Sequence, residues 1–280
     1  MTVELFHKVS HECSRSVTLR YSTSFSSAIK LLHRDLRQPI FNIYGFVRFA
    51  DEIVDTFHEH DKQLLLRQFK TETFDAISRG ISLNPILNSF QQTVNDYKID
   101  HHLIHAFFSS MESDLTQNCY DRQGYEEYIY GSAEVVGLMC LYVFCEGNKT
   151  EYQTLKQPAK ALGAAFQKVN FLRDIKADFV DLSRIYFPGC DFHNFTERDK
   201  LQIQNDIEAD FNEAYKGILQ LPIKARFGVY VAYKYYYSLF RKIKQIEPKY
   251  ILQTRVRIPN YHKAFIVVRA SVKNRLNLIE

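Results

Sequence analysis

The sequence predicts an all-α protein, a bundle of helices around a central cavity in a single domain over residues 1–280. Three observations carry this expectation. Glycine and proline are scarce, ten and seven in 280 residues, so few positions break a helix or force a tight turn. The long segments between them place apolar side chains three and four residues apart, the spacing of one helix face. No glycine-rich turn joins a strand-like segment to a helix-like one, which argues against a doubly wound nucleotide-binding fold.

In chain order, helical patterns run over 3–20, 24–32, 36–57, 61–78, 84–96, 100–117, 122–146, 149–179, 196–219, 222–246 and 260–277. The joints carry recognisable chemistry. Ser22 and Ser24 read as caps for the second segment, because a serine hydroxyl accepts from an unpaired first-turn amide. Asn84-Pro85 starts a helix, Gly147-Asn148 stops one, and Phe187-Pro188-Gly189 makes a turn after RIYF. No repeat of 20 to 50 residues and no low-complexity linker divides the chain.

Composition narrows the setting. The five cysteines, Cys13, Cys119, Cys140, Cys145 and Cys190, are odd in number and lack disulfide-framework or zinc-ligand spacing, as expected of free thiols in a reducing cytoplasm. The charged amino terminus MTVELFHKVSHECSRS lacks the apolar core of a signal peptide, and no run of 18 apolar residues occurs. A cytoplasmic protein that does not span the membrane is expected. From Lys224 onward, thirteen Lys and Arg stand against two Glu in a chain of net charge +4. This basic segment reads as a solvated face or as an attraction to the anionic inner face of a membrane or to diphosphate. Nucleic acid is not expected, because no stacking motif accompanies the charge.

Two aspartate pairs point to chemistry: Asp51 and Asp55 in FADEIVDTF, and Asp174 and Asp178 in NFLRDIKADF. Four residues is about one helical turn, so each pair sets two repelling carboxylates on one face. A solvated acidic face is the plain alternative. Facing pairs could instead hold Mg2+, which takes one or two carboxylates together with substrate phosphate oxygens. Gln167, Asn170, Asp174 and Asp178 form a polar stripe within the apolar run ALGAAFQKVNFLRDI. A core-facing helix has no structural need for it, since unpartnered buried polar groups cost roughly 1 to 3 kcal/mol each.

With these motifs in order, the chain resembles the squalene and phytoene synthases, which join two prenyl diphosphates head to head. The resemblance spans nearly the whole length through YSTSFSSAIKLL, IYGFVRFADEIVD, YIYGSAEVVG, LGAAFQKVNFLRDIKADF, SRIYFP and TRVRIPNYHKA. It implies an isoprenoid synthase helical bundle. Asp51, Asp55, Asp174 and Asp178 would be its two acidic motifs, with Glu52 inside the first and Gln167 and Asn170 beside the metal and diphosphate cluster. Arg48 and Arg173 would contact diphosphate or brace the aspartates, and Tyr21, Ser22, Ser24 and Phe25 would close over one substrate. Tyr128 would face the reacting carbons. The family also implies a tyrosine near the end of the penultimate helix, for which Tyr236 is favoured over Tyr235 and Tyr237. Glu134 stands where the family commonly has glycine, which leaves local helix packing open.

The implied activity is condensation of two geranylgeranyl diphosphates to phytoene in carotenoid biosynthesis, through a cyclopropyl diphosphate. Two or three Mg2+ ions are expected, with Mn2+ as a substitute and no NADPH. Ile29 and Phe41 are expected along the tunnel for the prenyl tail, and an isoleucine at 29 leaves room for the longer substrate. Dehydrosqualene or squalene synthesis from farnesyl diphosphate is the alternative, followed by a non-catalytic scaffold or prenyl-lipid binder of the same fold. Peripheral membrane contact is expected of an enzyme with a hydrocarbon product. Oligomeric state does not follow from the sequence.

Overall fold

A computed structural model describes residues 2–176, 184–190, 192–253 and 255–275. Its helices are α1 (Val3–Tyr21), α2 (Thr23–Ile29), α3 (Arg34–Asp55), α4 (Lys62–Arg79), α5 (Pro85–Tyr97), α6 (His101–Asp114), α7 (Arg122–Ile129), α8 (Val135–Phe144), α9 (Lys149–Ile175), α10 (Glu197–Gln220), α11 (Ile223–Lys244), α12 (Pro248–Ile251) and α13 (Asn260–Arg275). Among the described residues there is no strand, and the one extended pairing is an isolated bridge between Cys119 and Ile185.

The helix starts follow local chemistry. Asn84 accepts from the amides of Ile86 and Leu87, and Pro85 occupies the first turn, where its missing amide is no loss. Asp61, Asp100, Asp121 and Asn148 cap α4, α6, α7 and α9 in the same way. Thr196 and Asp199 form a reciprocal capping box at α10. Ser22 caps α2 by accepting from the Phe25 amide at 3.1 Å.

Helix α8, VVGLMCLYVF, is apolar all round, as suits a helix surrounded by neighbours. It packs against α3, α6 and α9. A phenylalanine cluster fills the space beside it, with Phe46 stacked on Phe90 at 3.8 Å and flanked by Phe69, Phe107 and Phe108. Helices α9 and α10 form the most extensive pairing. Their approach is close: a methyl at Gly217 would lie 2.1 Å from the Pro158 ring, so only glycine fits there. Along the same seam the ammonium of Lys168 lies 2.6 Å from Asp206 and 2.7 Å from Asp210.

The segment expected as one helix over 122–146 is interrupted. Tyr130–Glu134 form a π-turn between α7 and α8, the one-residue widening that often accompanies functional sites. Its walls are tight, since a methyl at Gly131 would meet the Ala106 carbonyl at 2.5 Å and one at Gly163 would meet the Ala133 carbonyl at 2.6 Å. Glu134, whose packing the sequence left open, pairs at 3.0 Å with Lys160 of α9. The short helix α12 was also not expected. Asp178 lies outside the described residues.

Candidate active site

A cavity of about 780 Å3 runs through the bundle, walled by α2, α3, α8, α9, α10, α11 and the π-turn. Its two ends differ chemically. Asp55 is the last residue of α3, Asp114 the last of α6, and Asp174 the last but one of α9. All three line the cavity with Asp51. Helix carboxyl ends carry partial negative charge, so carboxylates gathered there are held at an unfavourable potential unless cations join them.

Arginines supply part of that compensation. Arg48 lies 3.8 Å from Asp51, pairs closely with Glu52, and stacks over Tyr21 at 4.5 Å. Arg173 Nε donates to Asp174 at 3.1 Å, and Arg255 Nε lies 2.7 Å from the same carboxylate. Arg184 lies 3.5 Å from Asp55 and donates to the Asp114 carbonyl at 3.1 Å. Burial, then the neighbouring charge of Asp55, pushes the Asp51 carboxyl up to about 7 despite Arg48. The 32% of its side chain left accessible faces the cavity.

The other end is apolar. Ile29, Leu32, Val136, Leu155, Leu162 and Ile218 line it, and Gly137, Gly163, Gly217 and Gly228 let the wall helices approach closely, since a methyl at any of them would meet a neighbour at 2.9 Å or less. On α9 alone the lining descends from Asn170 to Leu155, roughly 22 Å at the helical rise. Tyr128 lines the cavity beside Asp114, buried, donating from its hydroxyl to Asp114 Oδ2 at 2.5 Å. The Tyr186 hydroxyl reaches the other oxygen of Asp114 at 3.4 Å. Burial pushes the Asp114 carboxyl up to about 6, opposed by the Tyr128 hydrogen bond and the charge of Arg184.

Most residues singled out in the sequence meet at this cavity. Tyr21, Ser22, Phe25, Ile29, Arg48, Asp51, Asp55, Tyr128, Gln167, Asn170, Arg173, Asp174 and Tyr236 all line it. Tyr236 stacks on Phe166 at 4.0 Å and faces Phe25 at 5.7 Å, whereas Tyr237 turns to Phe211. Two expectations need correction. Phe41 is 3% exposed in the core and does not line the cavity. The lining face of α3 is Ile40, Ile43, Tyr44, Val47, Arg48 and Asp51, and Phe41 lies one step round the helix from it. Ser24 likewise falls off the Ser22, Phe25 and Ile29 face of α2 and does not line the cavity.

The model of the family described as squalene/phytoene synthase matches residues 18–262. The chain belongs to the squalene/phytoene synthase family. Members of this family are prenyltransferases that condense prenyl diphosphates head to head, and this chain is an enzyme of that class. It is 27% identical to phytoene synthase of Arthrospira platensis over 95% of this chain and 94% of that one. It is 26% identical to 4,4'-diapophytoene synthase of Staphylococcus haemolyticus over 68% of this chain and 65% of that one. A ligand-bound dehydrosqualene synthase shares the fold, with a TM-score of 0.79, 20% identity and coverage of 96% of this chain and 98% of that one.

Among the described residues, the donor set of this squalene/phytoene synthase family member suits a hard cation held together with substrate phosphate. Among the described residues no three acidic, imidazole or thiol side chains converge on one point. One or two carboxylates plus phosphate oxygens is the arrangement in which Mg2+ is usually held. The buried Oδ1 of Asn170 has no hydrogen-bond partner among the described residues, so it too is open to a ligand.

Sequence reasoning missed Asp114, Tyr44, Arg184, Tyr186 and Arg255, all in the cavity wall. For Asp114 a signal existed: it follows Phe107 and Met111 at helical spacing on the buried face of α6, where a carboxylate needs a reason to be. Tyr44 could have been found the same way, one turn before Arg48 on the face that leads to Asp51.

Proposed function

We propose that this enzyme joins two geranylgeranyl diphosphates to phytoene through a cyclopropyl diphosphate, using Mg2+, as a step of carotenoid biosynthesis. The observation that carries this reading is the cavity: aspartates and arginines at one end, a long apolar arm between closely packed helices, and Ile29 rather than an aromatic ring along the arm. The phytoene synthase likeness over nearly the full chain supports the same substrate.

Bound Mg2+ would stabilise the diphosphate leaving group, with Asp51, Asp55, Asn170, Asp174 and Asp178 as its candidate ligands. Arg48 and Arg173 present paired planar donors to diphosphate oxygens. The arginine charge holds each head in place while the tails lie along the apolar arm. Ionisation of the first substrate leaves an allylic cation, which adds to the double bond beside the diphosphate of the second. Loss of a proton closes the cyclopropane. Phe25, Phe166, Phe171 and Tyr236 offer ring faces to the cationic carbons, and the apolar walls keep out water that would quench them. Tyr128, backed by Asp114, stands where a proton can be received or passed on.

Use of farnesyl diphosphate is the second reading, favoured by the likeness to a 4,4'-diapophytoene synthase. Incubation of the purified protein and Mg2+ with farnesyl or geranylgeranyl diphosphate, with and without NADPH, distinguishes them by mass spectrometry of the hydrocarbon. A forty-carbon product formed without NADPH is expected. A thirty-carbon product alone would reassign the substrate.

A further inference from the structure

Helix α13 carries apolar residues on two opposite faces. Ile266, Val267 and Ala270 pack inward on the core, beside α11. Tyr261, Phe265, Val268 and Val272 repeat at spacings of four, three and four, and are 77%, 61%, 62% and 51% exposed. At about 100° per residue these four share a narrow stripe turned directly away from the packed face. Single exposed apolar side chains are ordinary, but a stripe of four over about three turns of one helix needs a partner. The stripe has no counterpart among the described residues.

The charge on the helix selects the partner. Residues 260–275 contain Lys263, Arg269, Lys273 and Arg275 and no Asp or Glu. Lys263 turns back to donate to Thr23 Oγ1 at 2.8 Å, while Arg269 and Arg275 are exposed and flank the stripe. A second copy seated on this face would bring two purely basic helices together. An anionic lipid surface satisfies both the stripe and its basic border, as for helices that lie in the plane of a membrane interface.

We infer that α13 lies against an anionic bilayer, with Tyr261, Phe265, Val268 and Val272 at the boundary between headgroups and acyl chains. The contact is peripheral, since among the described residues no helix is long and apolar enough to cross a membrane. It lies next to the cavity wall. Lys263 bonds to Thr23, whose neighbours Ser22 and Phe25 line the cavity, so the membrane-facing helix is tied to the α2 wall.

Flotation of the full chain with vesicles of phosphatidylcholine, alone or with phosphatidylglycerol, tests this without any prenyl substrate, so its outcome is independent of the catalytic reading. The wild-type chain should float with the phosphatidylglycerol vesicles. Phe265→Ser with Val268→Ser should weaken that partition roughly tenfold or more, with unchanged circular dichroism because both sites are exposed. Arg269→Gln with Arg275→Gln should weaken it by about fivefold per charge and reduce its salt sensitivity. The inference fails if the wild type floats with neither vesicle, or if the serine variant floats as well as the wild type. It also fails if the wild type self-associates without lipid and the serine variant does not, which would give the stripe to a second copy.

Discussion

Tyr128 and Asp114 are joined by a hydrogen bond of 2.5 Å inside the wall of the cavity, fourteen residues apart in sequence and both buried. The carboxylate fixes where the phenol points. Tyr128 lines the cavity, so the bond sets how its phenol is presented to that space.

Asp114→Ala should therefore lower kcat more than it raises KM, by about a hundredfold if Tyr128 loses its position. Tyr128→Phe should give a similar loss, and the double variant should be little worse than either alone, since the two side chains act as a unit. Steady-state kinetics on the three variants checks this. Additive losses would separate the two residues.

Asp114 also makes the folded state sensitive to pH. Its carboxyl is pushed up to about 6 from the ordinary 3.8, by burial above all. The folded chain then binds more protons than the unfolded chain between these values. Its contribution to stability is present below about pH 4 and is lost as pH rises through about 6. Without metal or substrate, the unfolding free energy of the wild type should fall across this window by on the order of 1–3 kcal/mol more than that of Asp114→Asn. Denaturant titrations at several pH values measure the difference in slope.

At the mouth, Asp51→Asn and Asp174→Asn should each cut Mg2+-dependent diphosphate release by roughly 100- to 1000-fold. Chelation of Mg2+ should abolish release in the wild type. Mg2+ with inorganic diphosphate should raise the melting temperature of the wild type and of Phe41→Leu, but much less that of Asp51→Asn. Diphosphate release and thermal shift are read on the same preparations.

Chain length should respond to Ile29. Ile29→Phe narrows the apolar arm without touching the aspartates, and should shift the ratio of kcat/KM for the twenty-carbon over the fifteen-carbon substrate downward by about tenfold or more. Phe41→Leu should leave that ratio unchanged, because Phe41 faces the core. Competition between the two diphosphates in one vessel gives the ratio directly.

The helical class and the faces of α3 and α9 were legible because their information is local: apolar periodicity, caps and the four-residue spacing of Asp51 and Asp55 all act within a turn or two. The break at Tyr130–Glu134 was not, because its close neighbours, the carbonyl of Ala106 and Gly163 on α9, lie far away in the chain. Phe41 was misplaced for a related reason. One step round α3 separates core from cavity, and only the neighbouring helices decide which is which. Asp114 went unnoticed because no second acidic residue marks it, although its place on a buried face was visible. Arg184 and Arg255 lie outside regular helix, where spacing predicts no partner; their contacts with Asp55 and Asp174 follow from tertiary structure alone.

Helix α9 carries Gln167, Asn170 and Asp174 toward the cavity and Lys168 toward Asp206 and Asp210 on its far side. The helix is thus held in azimuth by charge. A rotation about its axis large enough to withdraw Asp174 from the mouth would drag Lys168 off both carboxylates and leave a buried cation unpaired, a loss of about 3–5 kcal/mol. Residues on the far side of the helix thereby set the compass bearing of those that line the cavity.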